Sequence, residues 1–141
     1  MSHKFPSDDW TQSFGQVINA SDDYKQRGKN WRAGPVSFIV TAAPEIGMTQ
    51  DFGMFLDLHE GQCRSARSCD LAEAEKAPFM IRAEYGWWKS VIRGNLEPVR
   101  GLITGKLKLK GDLTVIVRHI GAAKSLADCA SHVDTIFLDE A

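Results

Sequence analysis

The 141-residue chain has no apolar run long enough to cross a bilayer; its densest stretch, Val36 to Ala43, is strand-sized. A helical membrane span is therefore excluded. It also has no excess of charge, with 17 Lys plus Arg against 18 Asp plus Glu and a formal net of −1. That balance argues against nucleic-acid binding, which needs a concentrated positive field. Only three cysteines are present, an odd number without paired spacing, which builds no disulfide framework and fits a reducing compartment. Met1 to Pro6 lacks the apolar segment of a secretory signal, and Asp139-Glu140-Ala141 is not a peroxisomal tripeptide. The expected compartment is the cytoplasm.

Motifs for chemistry are scarce as well. The histidines stand at positions 3, 59, 119 and 132, and none has a second ligand at a metal-binding spacing. Cys63 and Cys69 are too far apart for a redox pair and read as small, buried or half-buried thiols. Gly94, Gly101, Gly105 and Gly111 are too widely spaced to cradle a phosphate, and no Gly-x-Ser-x-Gly elbow occurs. No metal and no cofactor is expected.

What is present is an ordinary globular composition, 43% hydrophobic and 25% charged, at a length that fits one domain over residues 1–141. Ser7 followed by Asp8 and Asp9 reads as a helix start. Trp10, Phe14, Val17, Ile18 and Tyr24 then recur at helical spacing up to a stop at Gly28, a single helix of about five turns. Val36–Thr41 is β-rich. Met54–His59 and Cys63–Ser68 form a hairpin across Glu60-Gly61-Gln62. Asp70–Lys76 is a short helical connector and Phe79–Tyr85 a fourth strand. A helix carrying Trp87, Trp88, Val91 and Ile92 stops near Gly94, and a second begins at Pro98 and ends at Gly105. Lys106 to Lys110 alternates as a fifth strand with its leucines inward. Asp112 caps one last helix, whose apolar stripe runs from Leu113 through Ile116, Val117, Ile120, Ala123 and Ala127 to Ala130. The order predicts an α+β fold around a mainly antiparallel five-stranded sheet.

One sheet face must cover four amphipathic helices. Such an apolar surplus closes into a solid core or encloses a cavity, and periodicity does not choose between them. Trp87 and Trp88 point about 100° apart and cannot share one core layer, so each packs in the core at a different level or one packs inward while the other faces a cavity mouth or an interface. Asp57, His59, Arg64 and Arg67 have two readings. They form a cross-strand charge pairing on a solvated face, or a cluster for acid–base work or an anionic group.

The segment Gly94-Asn95-Leu96-Glu97-Pro98-Val99-Arg100-Gly101-Leu102-Ile103-Thr104-Gly105-Lys106-Leu107-Lys108-Leu109-Lys110-Gly111-Asp112, preceded by Trp88, Val91 and Ile92, resembles the sterol carrier protein 2 domain family. The hairpin Leu56 to Arg64 resembles that family's central strands, and the looser likeness runs from the first helix to Cys129. The resemblance implies a helix-covered five-stranded sheet enclosing an apolar tunnel for sterols, fatty acids or fatty acyl-CoA, with no shared catalytic residues. The side chains expected to line it are Trp88, Ile92, Leu102, Ile103, Leu113, Ile116, Val117, Ile120 and Phe137. Its partner is then a lipid. Transient membrane contact through Lys106, Lys108 and Lys110 competes with plain solubility as the role of those lysines. Two other readings stand beside carriage. One is an enzyme on the same scaffold using Asp57 or His59. The other is an interaction module in which the Trp87–Trp88 surface binds a second copy of the chain, as a homodimer, or an acyl-handling enzyme.

Overall fold

A computed structural model describes all residues from Met1 to Ala141. In chain order the elements are β1 (His3–Phe5), α1 (Asp8–Ala20), α2 (Asp22–Arg27), β2 (Val36–Thr41), β3 (Phe52–His59), β4 (Gln62–Cys69), α3 (Leu71–Lys76) and β5 (Phe79–Glu84). They continue as α4 (Tyr85–Ile92), α5 (Pro98–Ile103), β6 (Lys108–Lys110), α6 (Leu113–Arg118), α7 (Ile120–Ser131) and β7 (Thr135–Phe137). Strands β4-β3-β2-β5-β6 form one five-stranded sheet. It is antiparallel except where β2 lies parallel to β5, a pairing that the long excursion through β3, β4 and α3 makes possible. The expected fold class is thus observed as a mixed, mostly antiparallel sheet with helices.

The β3–β4 turn has both central residues at positive φ, Glu60 at 48° and Gly61 at 82°, the backbone that matches a right-twisted hairpin. Further along, Leu56 pairs with Ala66 but Leu58 with Cys63, so an extra β4 residue bulges opposite Asp57. Helix α1 lies close on this hairpin: a Cβ on Gly15 would come within 2.5 Å of the Ala66 Cβ. Only glycine fits there.

Three expectations are corrected and one unforeseen element is added. The first helix is two helices, because Ser21 is extended and its side chain accepts from the Tyr24 N–H, capping α2 as Ser7 caps α1. The last helix is also two, parting at His119 after the β-branched run Val115-Ile116-Val117 and just before Gly121, both weak helix formers. The fifth strand is confined to Lys108–Lys110, although Leu107 is buried and Leu109 half-buried as the alternation requires. Finally, β1 and β7 pair in parallel as a separate two-stranded ribbon, joining segments more than 130 residues apart. No local pattern announces that ribbon.

The two faces of the sheet are covered unequally. On the outer face only α3 packs, closing Ile39, Ala74 and Met80 into a small cluster. On the inner face α1, α2, α4, α5, α6 and α7 enclose the main core, with α7 packed against α1, α2, α4 and α5. No helix is long and apolar enough to cross a membrane.

Candidate functional site: an apolar cavity

A cavity of about 110 Å³ lies between the inner sheet face and the helices, lined by 23 residues of which 21 are hydrophobic. Alternation along the strands supplies its floor: Val36 and Phe38 from β2, Met54 and Leu58 from β3, and Ile81 from β5. Trp10 and Phe14 of α1, Tyr24 of α2, and Trp88, Val91 and Ile92 of α4 form the walls. The remaining wall is α7, which presents Ala122, Ala123, Ala127 and Ala130. That run of alanines is the local cause of the hollow, since larger side chains at these positions would fill it.

The lining is apolar by arrangement as well as by composition. Three tryptophan rings face the cavity, and each indole N–H is spent on the surrounding protein. Trp10 Nε1 donates to Thr135 Oγ1 at 2.9 Å, Trp31 Nε1 to the Gly34 carbonyl at 2.9 Å, and Trp88 Nε1 to the Ile39 carbonyl at 3.0 Å. The rings therefore present carbon. Burial raises the Tyr24 hydroxyl far above its ordinary range and keeps it neutral. His119 is the one imidazole in the lining, half-buried and edge-on to Trp31 with ring centres 5.1 Å apart. Beside Tyr24, burial also pushes the Cys63 thiol up to about 11, so it is a packing group.

Of the nine side chains expected to line a tunnel, the structure brings Trp88, Ile92, Leu102 and Ile116 to the cavity. Ile103, Leu113, Val117 and Ile120 lie outside it at 68%, 39%, 44% and 38% exposure. Ile103 is the last residue of α5 and Leu113 the first of α6, and the break at His119 separates Val117 from Ile120, so the four do not share one buried stripe. Phe137 is buried but sits behind Phe5, ring centres 6.3 Å apart, beneath Lys89 and Arg93. Sequence reasoning missed the whole sheet floor, although alternation in Val36/Phe38 and Met54/Leu58 was the signal that could have found it.

The Asp57 group lies elsewhere. Arg64 donates twice to Asp57, both at 3.1 Å, across the bulge on the outer face of the hairpin, while Leu56 and Leu58 face the core. His59 Nε2 pairs with Glu60 at 2.8 Å, and Arg67 forks onto Glu73. These are cross-strand and local polar contacts, and none of the residues lines the cavity. No group of three potential metal ligands occurs.

The model of the SCP-2 sterol transfer family matches residues 14–124. The chain belongs to that family. Among solved structures, a sterol carrier protein 2 crystal structure shares 29% identity at a TM-score of 0.82, covering 90% of this chain and 97% of its own. A Thermus thermophilus protein in solution shares 28% at 0.84, covering 96% and 94%. Sterol carrier protein 2 from Yarrowia lipolytica, at 15% identity and 0.58, covers 86% and 89% and shares the fold. None of the curated proteins matches. Membership places this chain among proteins of lipid binding and transfer.

Proposed function

We propose that the protein binds and carries one long apolar chain, as a fatty acid, a fatty acyl-CoA or a sterol-like lipid, without chemistry of its own. The observation that carries this reading is the cavity lining, in which 21 of 23 residues are hydrophobic and the indole donors of Trp10, Trp31 and Trp88 are already satisfied by the surrounding protein. A ligand recognised there is recognised by shape and burial, and a polar head group remains outside.

Magnitudes agree. Burying a C16 chain provides roughly 12 kcal/mol gross at about 0.8 per methylene. Association and chain ordering remove several kcal/mol, leaving about −8 kcal/mol and roughly micromolar affinity, which suits carriage with release. A dry engineered cavity of ~150 Å³ holds benzene. At about 110 Å³ this one must widen to take a longer chain. The short helices α5 and α6 and the alanine face of α7 are the elements that can part, because the sheet side is held by ladder hydrogen bonds.

The test is a titration with a long-chain fatty acid, read through Trp10, Trp31 and Trp88, which surround the cavity. Wild type should saturate near micromolar. Ala127→Phe, which places a ring in the hollow from a half-buried position on α7, should keep the fold and bind at least about tenfold more weakly. Equal binding by the two would place the ligand elsewhere.

A further inference from the structure

Tyr24 is the most deeply buried polar side chain of the cavity lining, at 1% exposure, and its hydroxyl differs from the other buried donors there. The indoles of Trp10, Trp31 and Trp88 each donate to the surrounding protein. Tyr24 enters side-chain hydrogen bonding only through its backbone N–H, which donates to Ser21 Oγ at 3.0 Å. Its Oη has no partner in the protein. The thiols of Cys63 and Cys129 lie near enough to disfavour its ionisation, yet neither bonds to it, and Cys63 Sγ donates instead to the Ser65 carbonyl at 3.4 Å.

Folded proteins pair nearly all buried polar groups, so an exception calls for a physical reason. Every fully sealed side-chain nitrogen and oxygen of this protein has a partner, so the Tyr24 hydroxyl is not sealed. The space it opens on is the cavity that Tyr24 lines. The residue is also held in place. Ser21 fixes its backbone, and a Cβ on Gly28 would come within 2.7 Å of Cζ, the carbon that bears the hydroxyl.

Water is a poor partner at this point, because a held water needs about two to four polar neighbours and the indoles offer none. His119 is the other lining side chain with uncommitted hydrogen-bonding atoms, but it is half-buried and solvent reaches it. An oriented, neutral O–H inside an apolar hollow is therefore left for a ligand to satisfy.

We propose that Tyr24 selects lipids that carry a hydroxyl or carbonyl oxygen on the apolar body itself, apart from the head group. The proposal rests on the reading of the cavity as a lipid site. Tyr24 Oη donates to that oxygen once the chain is in place. An unsubstituted chain leaves the Tyr24 hydroxyl unpaired, and an oxygenated chain bound without Tyr24 buries its own oxygen unpaired.

The experiment compares stearate with 12-hydroxystearate and 12-oxostearate, and palmitate with 16-hydroxypalmitate, each titrated into delipidated wild type and Tyr24→Phe through tryptophan emission. The variant removes one oxygen and leaves the ring. In wild type at least one oxygenated acid should bind as tightly as its plain parent or more tightly. In Tyr24→Phe that acid should bind at least about tenfold more weakly, while the plain acids keep or improve their affinity. Without ligand, Tyr24→Phe should unfold at the same denaturant concentration as wild type or a higher one, since no hydrogen bond within the protein is lost. A lower midpoint would mean that the hydroxyl has a protein partner, and would overturn the assignment. So would an equal preference among these acids in the two proteins, with the cavity reading left standing. Wild type that takes up none of the acids would overturn the cavity reading and the assignment with it.

Discussion

The same strands build two different interiors on their two faces. On the outer face Ile39 is fully buried against Ala74 and Met80, and the Ser37 hydroxyl donates to the Ala74 carbonyl at 2.6 Å, so one short helix closes a solid patch. Ion pairs hold its rim, with Arg82 between Asp51 and Glu75 and Arg67 on Glu73. On the inner face six helices and three tryptophans enclose a hollow that the alanines of α7 leave unfilled. More covering elements and bulkier side chains therefore gave the less filled side. What decides solidity is whether the facing side chains fill the space, and α7 does not.

Truncation should separate the faces most strongly. Ile39→Ala removes a side chain from the solid patch and should cost about 2–5 kcal/mol in denaturant unfolding, with fatty-acid affinity unchanged. Ile81→Ala removes one beside an existing void; it should lie near the low end, about 2 kcal/mol, and shift binding toward bulkier ligands. Equal costs and an unaltered ligand preference would erase the distinction between solid and hollow faces.

A smaller effect should come from the terminal ribbon, which backs the cavity wall at Phe5 and has no counterpart on the outer face. Tyr85 donates to Asp139 at 2.8 Å, and Lys89 binds both Asp139 and Glu140. Hydrogen bonds from Lys89 and Tyr85 lower the Asp139 carboxyl below its ordinary 3.8, and those from Arg93 and Lys89 lower Glu140 below its ordinary 4.5. Since both folded values are depressed, the contribution is complete above the ordinary carboxylate range. It begins to fall as pH drops through that range and is lost below the folded values. Hydrogen-exchange protection in residues 3–5 and 135–137, taken relative to the intrinsic rate at each pH, should therefore fall in acid before it does in the outer-face strands. Lys89→Met should produce the same loss of protection at neutral pH; protection that is unchanged would remove the clamp from the account.

The smallest effect should be at Asp57. Its pair with Arg64 is solvent-facing, so Asp57→Ala should change stability by less than about 1 kcal/mol and leave ligand affinity alone. Loss of a measurable turnover in this variant would instead favour the enzyme reading.

Much of this architecture is legible in the sequence where the signal is local. Glu60-Gly61 between alternating strands announces the hairpin, and Asp112 announces α6. The break at Ser21 was legible too: Ser21-Asp22-Asp23 repeats the capping pattern of Ser7-Asp8-Asp9, but apolar spacing that continued to Tyr24 hid it. The β1–β7 ribbon joins three-residue strands from opposite ends of the chain and leaves no periodic trace. For the site, a helical stripe records which side chains are apolar without recording which are covered. Ile116 and Val117 are adjacent in that stripe, yet one lines the cavity and the other faces solvent. The hollow itself depends on the volume that Ala122, Ala123, Ala127 and Ala130 fail to fill once α7 is docked, which is a property of packing.

The most direct test of the central claim is native mass spectrometry of freshly purified wild type and Ala127→Phe, followed by solvent extraction and lipid identification. Wild type should carry the mass of an apolar-chain lipid and the variant should not. A bare wild-type mass, with no uptake of added fatty acid or sterol, would contradict it and mean that the helices close on side chains alone.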